Sequence, residues 1–198
     1  MTSPFIIADN FLPNPELLIA DLRTREFEDL TGPDGAVYKR VSPLDPSYCS
    51  DLIGDAVKRP VDVTYLLARL NLAGEPPNNA IHSDEGYDEF AMVLYLTAPE
   101  HCKGGTAFWK HRNYGFTSLP TQHECRQVGR SPSTVLNTLK RDFDRPDAWL
   151  QTHLAEMKFN RAIFYPTKRF HSRSPFEAFG SDITDGRLIV VSFFSSAR

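Results

Sequence analysis

A chain of 198 residues that is 41% hydrophobic, 12% aromatic and 24% charged has ordinary globular composition and is long enough to bury one sizeable core. A formal net charge of -3 gives no global reason to expect nucleic-acid binding, although a local basic patch stays open. The longest uncharged apolar run near a terminus, residues 5–7, is far too short for a signal peptide or a membrane span, so we expect a cytoplasmic protein without membrane contact.

The N-terminal region begins with a predicted short strand and a helix, within residues 4–27. Asn14 is placed to cap the helix and Pro15 to occupy its first position. The apolar stripe of the helix would consist of Leu17, Leu18 and Leu22. The following segment, residues 31–60, holds many Gly, Pro and Asp residues and is predicted to be irregular surface or lid structure.

Five later stretches, rich in β-branched and aromatic residues, are predicted to be strands. They span residues 61–72, 90–97, 104–109, 161–166 and 187–194. The first of them ends at GEPPNN (74–79), a strong turn cluster. Because turns rather than regular helices separate the strands, the pattern favours an antiparallel sandwich or barrel over a parallel α/β sheet.

An insert of about fifty residues separates the third and fourth predicted strands. Its helical part is predicted at about 131–158, with Leu150, Leu154 and Met157 on one face. Trp149 and His153 are four residues apart, which indicates helix packing. We expect one domain over residues 1–198, with a β core at about 61–109 and 161–194.

The cysteines form an odd and widely spaced set: Cys49, Cys102 and Cys125. Such a set argues against a disulfide framework and for a reducing compartment. A structural zinc site beside the neighbouring histidines can be imagined, but no CxxC pair supports it, so isolated thiols are the favoured interpretation.

The chemistry is concentrated in three residues, His82, Asp84 and His171. In an extended segment residues i and i+2 point to the same side, so His82 and Asp84 can reach one ion. His171, which follows an apolar strand and a short basic turn, would add a second imidazole. Two histidines and one carboxylate suit Fe(II) and leave three positions open, enough for a bidentate co-substrate and O2. Mn, Co, Ni or Zn are not excluded.

A bidentate keto acid needs a cation at its far end, because its distal carboxylate would be buried. Arg187, which opens the last predicted strand, can hold a carboxylate with two hydrogen bonds. The phenol of Tyr95 would help to fix the same carboxylate. The ordinary alternatives are an exposed strand-end arginine and a core tyrosine.

Together these residues resemble the 2-oxoglutarate- and Fe(II)-dependent dioxygenases, particularly the prolyl-hydroxylase-like branch. In chain order the resemblance rests on His82 and Asp84, Tyr95 and Leu96, Gly104 to Thr106 with Phe108, the strand 161–166 leading to His171, and Arg187. GGTAFWKHRNYG (104–115), the helical insert and the N-terminal DNFLPNPELL (9–18) are closer still to a bacterial family of proposed oxygenases without an assigned function.

The resemblance implies a double-stranded β-helix, also called a jelly roll. It also implies iron bound at His82, Asp84 and His171, and 2-oxoglutarate bound at Arg187 and Tyr95. The cofactor set would be Fe(II), 2-oxoglutarate and O2. A retained Asp84 favours hydroxylation, or another C–H oxidation, over halogenation, since halogenases of this superfamily replace that carboxylate with a small residue.

Further residues are candidates for supporting roles. The separation of 16 residues between His171 and Arg187 is longer than is usual in the superfamily, so Arg173 and Arg69 compete as the anchor for 2-oxoglutarate. Possible substrate contacts are Trp109, His111, Arg112 and Arg69. A basic cluster near His171 could attract an acidic substrate, and it consists of Arg161, Lys168, Arg169 and Arg173.

We therefore expect a hydroxylase acting on an amino acid, a peptide or protein side chain, or a small metabolite. Two alternatives stay open. One is a metal-binding or non-catalytic jelly-roll binding module, and the other is a cupin-type dioxygenase that does not use 2-oxoglutarate. We expect no membrane or nucleic-acid partner, and the sequence leaves the oligomeric state open.

Overall fold

Strands dominate the computed structural model, which describes residues 5–32, 37–75, 80–84 and 86–197. Short 3-10 turns at 46–48, 99–101 and 146–148 join some of the elements. The strands and helices of the described residues are β1 (Ile6–Asp9), α1 (Pro15–Leu22), β2 (Glu28–Thr31), β3 (Val37–Pro43), α2 (Ser50–Val57), β4 (Val61–Asn71), β5 (Phe90–Tyr95), β6 (Gly105–His111), α3 (Gln122–Gln127), α4 (Pro132–Asp142), β7 (Trp149–Glu156), β8 (Arg161–Pro166), β9 (His171–Ser174) and β10 (Arg187–Ser196).

The strands form two antiparallel sheets of unequal size. The larger sheet has the order β1-β8-β5-β10-β4-β3-β2, and the smaller has the order β7-β6-β9. Every strand pair in both sheets is antiparallel. This arrangement confirms the predicted mainly-β class and the double-stranded β-helix.

The two faces of the larger sheet carry different side chains, as the two-residue period of a strand requires. On β4, Leu66, Ala68 and Leu70 point to the outer face and join a core with Leu22 of α1 and Ile53 of α2. The alternate residues of β4 point to the inner face, toward the smaller sheet, where a second core forms. The helices therefore shield the outer face, and the inner face is left for the site.

The predicted start of α1 is confirmed in part. Pro15 occupies the first turn and Asn14 the cap position, although the Asn14 side chain makes no capping hydrogen bond. Leu18 and Leu22 are buried, whereas Leu17 is 70% exposed. Leu17 was therefore wrongly placed in the apolar stripe.

All five predicted strands are present, as β4, β5, β6, β8 and β10. The prediction of irregular structure at 31–60 is wrong for most of the described part, since β3 and α2 occupy it. β3 pairs with β4 and extends the larger sheet, so its strand character comes from a tertiary partner rather than from local sequence. The turn predicted at 74–79 falls largely on residues 76–79, which lie outside the described residues.

Of the helical part predicted at 131–158, only the first half is helical. α4 begins at Pro132, behind a Ser131 side chain that accepts a hydrogen bond from the Thr134 backbone at 3.2 Å. The predicted helix around Leu150 and Leu154 is wrong, because this stretch is β7. β7 pairs with β6 along its length, with one register shift between Phe108 and Trp109, and such pairing overrides a helical spacing of apolar residues.

Helices α3 and α4 cover a third core, which we call the insert core. Its buried members are Ile81, Cys125, Val135, Leu139, Trp149 and Phe170.

The three cysteines of the chain are free, as predicted. In the described part of the chain, no helix is long and apolar enough to cross a membrane.

Candidate metal centre

His82 and His171 are brought together by the backbone. The His82 amide donates to the His171 carbonyl at 2.9 Å, and the His171 amide donates to the His82 carbonyl at 2.8 Å. The segment 81–84 thus continues the smaller sheet beyond β9. In such a hydrogen-bonded antiparallel pair the two side chains lie on one face, so both imidazoles point the same way.

Asp84 completes the group. Its amide donates to the Thr167 carbonyl at 2.9 Å, which fixes the segment a second time. The Asp84 carboxylate lies 3.6 Å from His82 Nε2 and 3.4 Å from His171 Nε2. One ligand atom from each residue lies within 4.8 Å of the others. Two imidazoles and a carboxylate converging from one side match the facial donor set of non-haem Fe(II) sites.

The ring of His171 is oriented for metal binding through Nε2. Its Nδ1 lies 2.9 Å from the Arg169 carbonyl, which requires the proton on Nδ1 and leaves the Nε2 lone pair toward Asp84. Burial lowers the pKa of His171 to about 4, and the Arg169 carbonyl opposes this shift. The ring is therefore neutral near pH 7, which is the form that a metal requires.

The insert core anchors both histidine segments from behind. Ile81 precedes His82, Phe170 precedes His171, and both apolar side chains are fully buried in this core. The Phe170 ring meets the Trp149 ring edge-on at 4.8 Å between centroids. The insert therefore supports the two histidines without contributing a side chain to the metal group.

The three residues open into a cavity of about 390 Å³ between the two sheets. This volume falls in the range typical of small-molecule sites, about 300–1,000 Å³. The lining includes inward-facing residues of β4, β10 and β9 and the edge of the β2–β3 hairpin. Its polar members are Thr31, Tyr38, Tyr65, Arg69, Asn71, Glu75, His82, Asp84, Tyr87, Thr106, Tyr165, His171, Ser172, Arg173 and Arg187.

Arg187 lies at the inner end of this cavity. It faces Asn71 across the β10–β4 pair, and its Nη1 donates to Asn71 Oδ1 at 3.0 Å. The residue is only 5% exposed, and its buried Nε has no hydrogen-bond partner among the described residues. Burial lowers the pKa of Arg187 to about 10, so the guanidinium remains charged at neutral pH.

Tyr95 lies behind Arg187 and is fully buried. Its ring centroid is 5.9 Å from Arg187 Cζ, and its hydroxyl shares a 2.8 Å hydrogen bond with Thr106 Oγ1. Thr106 lines the cavity, whereas Tyr95 does not. Burial raises the pKa of Tyr95, so the phenol is neutral and can donate. Tyr95 therefore reaches the cavity through Thr106 and through the cation of Arg187.

The structure separates the four residues considered for substrate contact. Arg69 lines the cavity, while Trp109, His111 and Arg112 do not. Trp109 supports the wall from outside, since its Nε1 donates to Ser172 Oγ at 2.9 Å. His111 is buried at 3.1 Å from Asp142, and Arg112 is exposed. None of these three side chains therefore reaches the cavity: Trp109 contacts Ser172 of β9, His111 contacts Asp142 of α4, and Arg112 faces solvent.

Sequence reasoning missed several polar residues of the cavity: Asn71, Glu75, Thr106, Tyr165 and Ser172. Asn71 could have been found, because it lies two residues after Arg69 on the same strand and therefore on the same face. Tyr165 is placed against His171, with 4.8 Å between ring centroids. Nothing in the sequence marks Glu75, which reaches the cavity from the segment after β4.

The donor set and the cavity fit a divalent metal with an anionic ligand beside it. The metal group itself carries one negative charge at Asp84, and the buried cation of Arg187 lies deeper in the same cavity. A small molecule with one carboxylate near the metal and one near Arg187 would satisfy both.

Solved structures with the same fold are similar to this chain over almost its whole length. The "non-heme alpha ketoglutarate dependent epimerase SnoN from nogalamycin biosynthesis" is 15% identical, with a TM-score of 0.56, over 98% of this chain and 77% of that chain. The SnoN complex with Fe3+, alpha ketoglutarate and nogalamycin RO is 13% identical, with a TM-score of 0.54, over 98% and 79%. A Pseudomonas putida prolyl-4-hydroxylase is 13% identical, with a TM-score of 0.52, over 100% and 95%.

At such identities the likeness shows the fold, a double-stranded β-helix. No curated protein matches the chain. A family model does match, over residues 1–194, and its description is "Family of unknown function (DUF6445)". The chain therefore belongs to the DUF6445 family.

Proposed function

We propose that the protein is an Fe(II)- and 2-oxoglutarate-dependent oxygenase of the prolyl-hydroxylase-like branch. It hydroxylates an unactivated C–H bond of an amino acid, a peptide or protein side chain, or a small metabolite, and it releases succinate and CO2. His82, Asp84 and His171 hold the metal. Arg187 binds the distal carboxylate of 2-oxoglutarate, and Tyr95 and Thr106 support that contact.

The observation that carries this proposal is the buried guanidinium of Arg187. A buried cation without a carboxylate partner is costly, and buried donors without a partner are rare in folded proteins. Among the residues that the structure describes, Arg187 has no carboxylate partner and its Nε has no acceptor, and it lines the same cavity as the His82–Asp84–His171 group. A dicarboxylate that binds the metal with one carboxylate and Arg187 with the other accounts for the buried cation and for its place in the same cavity as the metal group. A cupin-type dioxygenase without a keto acid has no need for this cation.

A metal and keto acid held here would activate O2, which is the oxidant both for the keto acid, converted to succinate and CO2, and for the C–H bond. The chain supplies the rest. His171 presents Nε2 because its other nitrogen is held by the Arg169 carbonyl, and Arg187 with Thr106 orients the co-substrate. Tyr87 and Phe193, stacked at 4.0 Å between ring centroids, both line the cavity and would exclude water from the space that they fill.

The solved structures offer separate support for the co-substrate. The SnoN titles name alpha ketoglutarate, and the complex contains Fe3+. One of these relatives is an epimerase and another a prolyl-4-hydroxylase, so the fold serves more than one outcome of C–H chemistry. Product analysis must therefore follow the demonstration of turnover.

The direct test is to measure the conversion of ¹³C-labelled 2-oxoglutarate to succinate in air by NMR. The Fe(II)-loaded protein should form succinate slowly even without a substrate, and Asp84→Ala should not. A protein that binds Fe(II) but never forms succinate, under any candidate substrate, would be a binding module instead.

A further inference from the structure

One buried carboxylate at the cavity, Glu75, is surrounded by cations. Its side chain is 4% exposed and lies 3.1 Å from Arg40 Nη2 and 3.0 Å from Arg69 Nη2. Arg173 Nη1 lies 3.8 Å from the same carboxylate, and Asn71 donates to both of its oxygens. We call Arg40, Arg69, Asn71, Glu75 and Arg173 the Glu75 cluster. Three guanidiniums share a single carboxylate in it.

The cavity wall therefore has more positive than negative charge. Arg187 is joined to the cluster through Asn71, and the guanidiniums that line the cavity are those of Arg69, Arg173 and Arg187. Against the one carboxylate of Glu75 they leave two positive charges in excess. Asp84 and the two carboxylates of 2-oxoglutarate would add three negative charges, and Fe(II) would add two positive ones. An excess of one positive charge therefore remains in the filled site, and a partly buried excess of this kind favours a further anion.

Arg69 contributes its guanidinium to the wall of the cavity, where that anion would bind. Its Nε is buried and has no hydrogen-bond partner among the residues that the structure describes. The guanidinium lies over the Tyr38 ring, at 5.2 Å from the centroid, and it lines the cavity. Its side chain is 23% exposed, so it lies nearer the mouth than Arg187. An acceptor that enters after the co-substrate can contact the part of the Arg69 side chain that lines the cavity.

The cavity changes from aromatic to cationic along two neighbouring strands. On the inner face of β4 and β10 the directly opposed pairs are, in order, Tyr65–Phe193, Leu67–Val191, Arg69–Ile189 and Asn71–Arg187. On the opposite wall Arg173 follows His171 by two residues on β9, a distance of about 7 Å along a strand. The cationic end of the cavity therefore begins about 7 Å from the metal ligand His171.

We propose that the substrate is a carboxylate with an apolar or aromatic body, and that Arg69 and Arg173 bind its carboxylate. The apolar body then packs against Leu67, Tyr65 and Phe193. This inference rests on the proposed function, because it assigns Arg187 to 2-oxoglutarate and leaves the Glu75 cluster for the substrate.

The test is anaerobic calorimetry on the full chain loaded with Fe(II) and 2-oxoglutarate. The probes are benzoate, phenylacetate and 3-phenylpropanoate, each compared with its primary amide. The amides have nearly the same shape but lack the charge. We expect at least one carboxylate to bind roughly tenfold or more tightly than its amide, as one charge-assisted hydrogen-bonded contact allows.

Two variants of opposite charge sign separate anion binding from a structural role. Arg69→Gln should remove the preference for the carboxylate and leave the affinity for 2-oxoglutarate within about twofold. Glu75→Gln should strengthen carboxylate binding, because it releases guanidiniums from their internal counter-ion. Arg23→Gln, at an exposed arginine after α1, is the matched control. A thermal melt with and without the probe reports folding in each variant.

Each outcome has a distinct meaning. If no carboxylate binds more tightly than its amide, the substrate inference is overturned while the oxygenase proposal stands. The same holds if Arg69→Gln weakens 2-oxoglutarate instead of the probe, since Arg69 would then be a co-substrate anchor. If the wild-type protein forms no complex with Fe(II) and 2-oxoglutarate, the proposed function fails and takes this inference with it.

Discussion

Phe170 lies directly before His171 and points away from it, into the insert core, where its ring meets Trp149 at 4.8 Å between centroids. The packing of one residue thus fixes the direction of the next. Phe170→Leu, a change that costs about 1 kcal/mol of stability in a well-packed core, should weaken metal binding several-fold by loosening His171. The metal affinity is measured by calorimetry with Co(II) or Fe(II).

The control for this prediction is Phe194→Leu, which is equally buried but lies in the core on the outer face of the larger sheet. It should lower the melting temperature by a similar amount and leave the metal affinity unchanged. Equal metal affinities in Phe170→Leu and wild type would mean that the insert core does not position His171.

The metal group makes a stronger prediction. His171→Ala and Asp84→Ala should each abolish Fe(II) binding at micromolar metal, because two remaining ligands do not hold the ion. His123→Ala, at an exposed histidine of α3, is the control and should bind the metal like wild type. Full retention of binding by either ligand variant would place the metal elsewhere.

Arg187→Met should raise the 2-oxoglutarate concentration for half-saturation by roughly 30-fold or more, which corresponds to at least about 2 kcal/mol for a buried charge pair. Iron binding without the co-substrate should be unchanged, because Arg187 does not touch the metal group. A variant with normal co-substrate affinity would move the anchor to Arg69 or Arg173.

Gly104 and Gly129, which have nearly the same φ angle, test whether the first glycine of the GGT motif is needed for the close approach of β9. Gly104 and Gly129 have φ of 68° and 70°, so alanine strains both by about 1–2 kcal/mol. A Cβ at Gly104 would lie 1.8 Å from the Ser174 carbonyl, whereas nothing lies within 4 Å at Gly129. Gly104→Ala should therefore cost about 1–3 kcal/mol more in chemical denaturation. Equal losses would show that β9 does not approach Gly104 closely.

Asp9 links stability to acid pH. The Arg161 side chain, at 2.6 Å, lowers the pKa of Asp9 to about 2, and this pair ties β1 to β8. Its contribution is present above about pH 4 and is lost as the pH falls through about 2. Because the Asp9 side chain is 38% exposed, solvent screening limits the stabilisation from the Asp9–Arg161 pair to about 1 kcal/mol or less. In Asp9→Asn the free energy of unfolding should fall less between pH 4 and pH 2 than in wild type. Parallel curves would refute this link.

The β core was predictable because its strands carry their signal locally. β5, β8 and β10 are dense in branched and aromatic residues, and the two-residue spacing of His82 and Asp84 needs only an extended chain to converge. β7 was not predictable in this way, since its polar, helix-prone residues become a strand only through the ladder to β6. The same holds for β3, which depends on β4.

Within the site, the sequence could not predict which residues from distant segments come into contact. Arg187 could be named from its place at the start of a strand, but its pairing with Asn71 depends on the β4–β10 register. Glu75 follows β4 in a stretch without a motif, and only the fold brings Arg40 and Arg173 to it. Trp109 and His111 were proposed as substrate contacts because they follow the GGT motif, whereas the fold brings Ser172 of β9 and Asp142 of α4 to their ring nitrogens.

The most direct test of the account is an anaerobic titration of the metal-free protein with Fe(II) at saturating 2-oxoglutarate, followed by visible absorption. We predict a weak charge-transfer band that saturates at one equivalent of Fe(II), requires 2-oxoglutarate, and is absent in His171→Ala. In Arg187→Met the same band should appear only at much higher 2-oxoglutarate. No band in the wild-type protein at any concentration of metal and co-substrate would contradict the assignment of His82, Asp84, His171 and Arg187.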